Sequence, residues 1–140
     1  MSDLSAFLNP AYTEKKIEFA VGDRFLDADG NPVKIVMKAL TQEEIEQISK
    51  RSTHEVSVGG TKLNQVNDDE FLARCLIASM VFPDLTNRDL CLRYKTEDPV
   101  YLPRRMFLAD EFKLISAAFA QLCGLESAKE LSTIGEVTKN

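Results

Sequence analysis

An aspartate-rich stretch, Asp27-Ala28-Asp29-Gly30-Asn31, contains the residue types that bind a hard cation such as Ca²⁺. An EF-hand loop, however, requires glycine at its sixth position and a bidentate glutamate at its twelfth. Counted from Asp27, Gly30 is fourth and Lys38 is twelfth. The pattern therefore favours a turn between two strands. A small metal-dependent enzyme that uses Asp27, Asp29 and Asn31 is the least favoured alternative.

The other polar candidates also lack the partners that catalysis needs. His54 is the only histidine, and it is expected at a solvated helix end. Gly59-Gly60 lacks the Lys-Ser/Thr pair of a phosphate-binding loop and is typical of a turn. Arg104-Arg105 is expected to be a solvated basic corner. The alternative is that the two arginines bind an acidic partner. The sequence thus predicts no catalytic residue, no cofactor site and no metal site, and the chain is not expected to be an enzyme.

Composition narrows the class of protein further. The 140 residues include 17 Lys or Arg and 22 Asp or Glu, for a net charge of -5. Nucleic acids and anionic membranes need a basic footprint, so neither is an expected partner. No secretory signal or membrane-spanning run is recognised. The three cysteines, Cys75, Cys91 and Cys123, lie in apolar helical patterns, so we expect reduced core residues and a cytoplasmic location.

Two alternating runs precede the helices. Ile17, Phe19 and Val21 share one face of the first run, and Val33 and Ile35 begin the second. The turn-forming residues 27–32 between them predict a β-hairpin. Residues 55–66 carry no helical periodicity and are expected to form a loop or a short second hairpin around the glycine pair.

Helix signals then follow in order. Thr41, with Glu44 three residues later, predicts a capping box. Asn67 is expected to cap a central core helix that Pro83 ends, and Thr86 to cap the next helix.

Two more helices complete the pattern. Asp98-Pro99 predicts the start of a short helix. The last helix is the clearest, because apolar residues recur at steps of four and three before Gly124 as the stop: Leu108, Phe112, Ile115, Phe119 and Leu122. The expected fold is α+β, mainly α, with an N-terminal β-hairpin followed by a compact bundle of about five helices.

The expected layout has three parts: an arm (residues 1–14), one hairpin-plus-helical domain (15–125) and a flexible C-terminal tail (126–140). Pro10 restricts the residue before it, so the arm is expected to lie extended on another surface rather than to form a helix. Apolar residues in all three parts are the predicted partner contacts: Phe7, Leu8, Val81, Phe82, Leu131 and Ile134.

The order of several motifs resembles a known family. These are SAFLNP, VKIVMKALTQEEIEQI, DDEFLARCLIASMVFPDLTNRDLCLRY and VYLPRRMFLADEFKLISAAFAQLCGL. Together they are similar to the phage tail assembly chaperones of the XkdN type, found in tailed phages and prophages of Gram-positive bacteria. The resemblance runs from about Ser5 to Gly124.

That resemblance implies a protein that binds and solubilises the phage tape measure protein and helps recruit tail tube subunits. It implies action in the host cytoplasm and absence from the mature virion. The sequence leaves the oligomeric state open. The principal alternative is a structural tail or baseplate component that stays in the virion.

Overall fold

A computed structural model describes residues 3–124, and these residues form a mixed α+β fold. They contain six α-helices, one 3₁₀ turn and five strands, which in chain order are α1 Ser5–Leu8, β1 Lys16–Phe19, β2 Ile35–Lys38, α2 Gln42–Arg51, β3 Thr53–Val58, β4 Thr61–Val66, α3 Asp68–Ser79, β5 Met80–Phe82, α4 Arg88–Arg93, the 3₁₀ turn Pro99–Tyr101, α5 Leu102–Met106 and α6 Ala109–Leu122. The C-terminal tail, with Leu131 and Ile134, lies outside the described residues.

A three-stranded antiparallel sheet, in the order β1-β2-β5, replaces the predicted two-stranded hairpin. The pairing of β1 with β2 is confirmed, with Ile17 opposite Met37. The strands are shorter than expected, because Val21 and Val33 lie in the long connection between them. Central strand β2 buries Ile35 and Met37 against the helices, as the period of two in a strand requires.

The third strand corrects the prediction that Pro83 ends the central helix. Helix α3 ends earlier, at Ser79, and Met80 is already extended with ψ 108°. The Ser79 hydroxyl donates to the carbonyl of Lys38 over 2.6 Å, and Phe82 then pairs with Val36 in β2. The backbone of residues 80–82 therefore pairs with β2 instead of continuing the helix.

Residues 53–66 form the second hairpin rather than an open loop. Strands β3 and β4 pair in full register, from Thr53 opposite Val66 to Val58 opposite Thr61. Gly59 and Gly60 make the two-residue turn with φ of +57° and +83°, the left-handed geometry that favours glycine.

The structure confirms three predicted helix starts, each capped by a residue within three positions of the amide that it binds. Thr41 and Glu44 form the expected capping box, with bonds of 3.1 and 2.9 Å. Asn67 caps α3 by accepting from the amide of Glu70. The Asp98 carboxylate caps the 3₁₀ turn that follows it.

The predicted cap of α4 is wrong by one residue. Asn87 caps this helix, because its side-chain oxygen accepts from the amides of Asp89 and Leu90 at 2.9 and 3.2 Å. The Thr86 hydroxyl instead donates to Asp84 over 2.7 Å. Both residue types cap well, and the local turn decides between them.

The core lies between the sheet and the helices and is built mainly from α2, α3 and α6. In α6, Ile115, Phe119 and Leu122 are buried as expected. Leu108 is exposed, contrary to the predicted stripe, because it precedes the first helical residue. Gly124, with φ +75°, follows the end of the helix as predicted.

All three cysteines are free thiols: Cys75 and Cys91 are buried, and Cys123 is half-buried. Burial raises the pKa of the Cys75 thiol to about 12. These positions match the expected role as small apolar core residues.

Candidate partner-binding surface

The N-terminal arm places its two predicted contact residues in solvent. Phe7 is 84% exposed and Leu8 is 70% exposed. Both belong to α1, so the expectation of an extended segment lying on a surface is wrong for these residues. The Asp3 carboxylate accepts from the amide of Ser5 and starts the turn. Pro10 restricts only the residue before it, which leaves residues 5–8 free to be helical.

The two residues predicted at the corner after α3 separate in the structure. Phe82 is 52% exposed and lies on an apolar groove, whereas Val81, 43% exposed, is not part of its lining. Successive side chains of a strand point to opposite faces, which accounts for the difference. The structure therefore groups Phe82, and not Val81, with other apolar residues.

The groove has a volume of about 380 Å³. Four segments build it: the connection between β1 and β2, the start of β2, the corner after β5 and the end of α5. Its lining consists of one charged residue and eight apolar residues, which are Arg24, Phe25, Leu26, Val33, Ile35, Phe82, Pro83, Met106 and Phe107. Such a surface binds apolar side chains and has no convergent polar groups for chemistry.

Aromatic packing holds the connection between β1 and β2 against the helices. The rings of Phe25 and Phe107 meet edge to face, with centroids 5.9 Å apart and an interplanar angle of 79°. The guanidinium of Arg24 lies 4.4 Å from the ring centroid of Phe25. Phe107 is buried, so this contact ties the groove wall to the core.

A bidentate ion pair anchors the same connection. Arg24 Nε and Nη2 donate to the two oxygens of Glu111 at 3.0 and 2.6 Å, and Nη2 also donates to the carbonyl of Met106 at 2.7 Å. Glu111 also accepts from the amide of Leu108 and so caps α6. Its side chain is only 5% exposed, against 38% for Arg24.

Arg24 favours the ionised form of its partner, Glu111. Hydrogen bonding from Arg24 lowers the pKa of Glu111, although burial opposes the shift. The carboxylate is therefore ionised at neutral pH and completes the anchor. Sequence reasoning missed this pair, because the two residues are 87 positions apart and no local pattern joins them.

His54 lies in strand β3 and not at a helix end, which corrects its predicted place. Its Nε2 is 2.9 Å from Glu70 of α3, and Arg74 Nε donates to the same carboxylate at 3.2 Å. Burial raises the pKa of Glu70, but the bonds to His54 and Arg74 outweigh that effect and lower it. The cluster fastens the second hairpin to α3.

The basic corner makes contacts within its own chain. Arg104 pairs with Asp69 at 3.3 Å and lies 5.0 Å from the ring centroid of Phe112. Arg105 donates to the carbonyl of Lys95. Both side chains remain exposed, in keeping with the solvated corner that the sequence favours.

The aspartate-rich stretch forms a turn. One Asp27 carboxylate oxygen accepts from the amides of Asp29 and Asn31 at 2.9 and 3.0 Å. Among residues 3–124, no group of three or more His, Cys, Asp or Glu side chains is placed to hold a metal ion. In the same range, no helix is long and apolar enough to span a bilayer.

A family model and two proteins of known sequence match this chain. A family model described as the phage XkdN-like tail assembly chaperone protein matches residues 4–137. Two proteins of Bacillus subtilis strain 168, YqbN and the phage-like element PBSX protein XkdN, are each 33% identical over 106 residues. That alignment covers 74% of this chain and 71% and 72% of theirs.

A solved structure is similar over most of this chain. The crystal structure of the protein YqbN matches with a TM-score of 0.74 at 27% sequence identity. The match covers 89% of this chain and 98% of that one. Sequence and fold therefore point to the same relatives.

Proposed function

The chain belongs to the family of phage XkdN-like tail assembly chaperones, and from that membership we propose that it binds and solubilises the tape measure protein and helps recruit tail tube subunits around it. The observation that carries this proposal is the apolar groove beside Phe82. A chaperone must cover apolar segments of a client until those segments are buried in the final assembly. A preformed apolar groove provides that cover at low entropic cost.

Two further features support a function in partner binding rather than in catalysis. The groove lining is almost entirely apolar, and its one charged residue, Arg24, is paired with Glu111. Phe7 and Leu8 add a second exposed apolar surface on the arm. Large exposed apolar surfaces in a soluble protein commonly mark partner sites.

The protein acts in the host cytoplasm and is absent from the mature virion. It uses no cofactor and catalyses no reaction, in line with a family of non-catalytic assembly factors. The arm, domain and tail divide the chain at residues 14 and 125. Val81, Leu131 and Ile134 remain predicted contacts, as do Phe7 and Leu8.

Co-expression tests this function. The chain is produced together with the tape measure and tail tube proteins of the same phage element, and their soluble fractions and co-purification are measured. The wild type is expected to raise the soluble fraction of the tape measure protein and to co-purify with it. Phe82→Asp is expected to lower this capture at least several-fold, because it places a carboxylate on the apolar groove.

Leu92→Asp is the matched control. Leu92 is also an exposed apolar residue, but it lies on α4 and is not part of the groove lining. It is expected to capture the client as the wild type does. If the wild type changes neither solubility nor co-purification, the proposed function is wrong. If F82D and L92D behave alike, the groove is not the client site.

Mass spectrometry of purified particles separates the chaperone from a structural tail component. A chaperone that leaves before maturation is expected to be absent or present in trace amounts. Stoichiometric copies in mature tails would instead favour the structural component.

A further inference from the structure

One wall of the groove is a loop whose backbone is bonded to itself. This loop, the flap, comprises residues 23–33 of the connection between β1 and β2. The amide of Val33 donates to the carbonyl of Phe25 over 2.8 Å. Further out, the amide of Asp27 donates to the carbonyl of Asn31, also over 2.8 Å. Within the described part of the chain, the backbone of the flap makes no hydrogen bond to another segment's backbone, so its shape is largely its own.

Two neighbouring side chains fasten the flap to the helices. The guanidinium of Arg24 binds both carboxylate oxygens of Glu111 and the carbonyl of Met106. The ring of Phe25 meets the buried ring of Phe107 edge to face. Both attachments lie at the start of the flap, and both are contacts of side chains that can separate without breaking the bonds inside the loop.

The residues on either side of the flap allow it to rotate. Gly22, which precedes it, has a φ of +151°, and a Cβ built at this position would meet no atom within 4 Å. Glycine passes between backbone conformations that other residues cannot share, so Gly22 can absorb a change of direction. Lys34, which follows the flap, is exposed and precedes the first residue of β2.

We propose that the flap swings away from the groove as one body about Gly22, with the pair of Arg24 and Glu111 as its latch. The latched form predominates in the free protein, because the bidentate bonds and the aromatic contact hold it. Opening breaks these contacts and keeps the internal bonds of the flap. A segment with few attachments to the core opens locally at a lower free energy than the whole domain unfolds.

The consequence for the size of an occupant rests on the proposed function. The latched groove, of about 380 Å³, is near the lower end of the range for ligand pockets, which is about 300–1,000 Å³. It therefore admits only a few apolar side chains of a client. Four lining residues leave with the open flap, which are Arg24, Phe25, Leu26 and Val33. Phe82 and Ile35 then belong to an open apolar face that accepts a longer client segment.

Methyl relaxation dispersion on the full chain without any client tests the movement. The probes are the methyl groups of Leu26 and Val33 on the flap and of Met106 on the helical side of the groove. All three are expected to share one exchange rate, because movement of a single body changes their surroundings together. Leu63 on the β3–β4 hairpin is the control and is expected not to share that rate. Different rates for Leu26 and Val33 would overturn the proposal.

Glu111→Gln weakens the latch in the same experiment. It is expected to raise the population of the open form several-fold while the three probes keep a common rate. Glu43→Gln makes the same chemical change at the exposed start of α2 and is expected to behave as the wild type does. Equal open populations in the wild type and E111Q, or no exchange at the three probes in either protein, would also overturn the proposal.

Thiol labelling separates movement of the flap from unfolding of the domain. Met106→Cys in a Cys123→Ser background places a reactive thiol in the groove, while Cys75 and Cys91 are buried and report global unfolding. The introduced thiol is expected to react several-fold faster than both, at a rate that low concentrations of urea leave unchanged, because a local opening exposes little surface. Reaction of all three thiols at one rate would contradict a local movement. Both measurements use the protein alone, so their failure is separate from a failure of client capture.

Discussion

The groove and the β3–β4 hairpin both expose apolar side chains, but they differ in what lies beneath them. The groove residues Phe107 and Met106 are buried in the core, and the pair of Arg24 with Glu111 fixes its outer wall. The hairpin exposes Val58 and Leu63, while its strands contact mainly each other. Apolar exposure alone therefore does not identify a binding site. A concave surface backed by the core holds its shape before a partner arrives, and a projecting hairpin does not.

The largest effect is expected from Phe107→Ala. It removes the buried ring that supports Phe25 and forms part of the groove floor. The free energy of unfolding should fall by about 3 kcal/mol, as for other truncations of buried aromatic residues. Urea denaturation monitored by circular dichroism measures the change. Leu63→Ala on the hairpin is the control and should cost less than about 0.5 kcal/mol. Equal losses in the two variants would show that the hairpin is as firmly packed as the groove.

The next effect is expected from Glu111→Gln, which keeps the shape of the side chain but removes its charge. Loss of the charge-assisted bonds should lower the free energy of unfolding at pH 7 by about 2 kcal/mol, a value reduced for the partial exposure of Arg24. Glu43→Gln, at the exposed start of α2, is the control and should cost well under about 1 kcal/mol. A loss no larger than that of E43Q would show that the pair of Arg24 with Glu111 does not stabilise the groove.

The same variant has a defined pH dependence. The folded-state pKa of Glu111 is lowered below its ordinary value of 4.5. Its contribution is therefore complete above the unfolded pKa and is lost as pH falls through the lower folded pKa. The stability difference between wild type and E111Q should be constant above about pH 5 and shrink below it. A difference that grows as pH falls would contradict the assignment.

A smaller effect, confined to the hairpin, is expected from Gly60→Ala. The φ of +83° at Gly60 strains a residue with a Cβ by about 1 kcal/mol. Amide hydrogen exchange in β3 and β4 should become several-fold faster, while the Met106 methyl resonance stays unchanged. A shift at Met106 would mean that the hairpin and the groove are coupled.

The smallest effect is expected from His54→Gln, which alters the contact between the hairpin and Glu70. An exposed pair of this kind contributes about 0.5 kcal/mol. Exchange in β3 should rise by about twofold, and urea stability should change by no more than the error of the measurement. A loss above about 1 kcal/mol would show that this contact holds the hairpin more firmly than its exposure indicates.

Local patterns predicted much of the fold. The capping box of Thr41 with Glu44 and the caps at Asn67 and Asp98 depend on residues at most three positions apart. The glycine turn of the second hairpin is equally local. These elements follow from backbone preferences that short windows of sequence express directly.

Long-range contacts account for what the sequence did not predict. Strand β5 forms because Phe82 pairs with Val36, which lies far earlier in the chain. The local sequence of β5 indicates only the end of a helix. The groove needs Arg24 to meet Glu111 and Phe25 to meet Phe107. Phe82 was predicted as a contact residue, but its neighbours in the groove were not, because only the tertiary fold brings them together.

The separation of Arg24 from Glu111 also sets an order of events on the ribosome. The two residues are 87 positions apart, so at about 5–20 residues per second translation takes roughly 4 to 17 seconds to pass from one to the other. During that time Phe25 and Leu26 have been translated, but Glu111, which anchors the adjacent Arg24, has not. A nascent chain that ends before Glu111 therefore lacks the finished groove. The groove is therefore completed only after the first turn of α6, with Glu111, has been translated and has paired with Arg24.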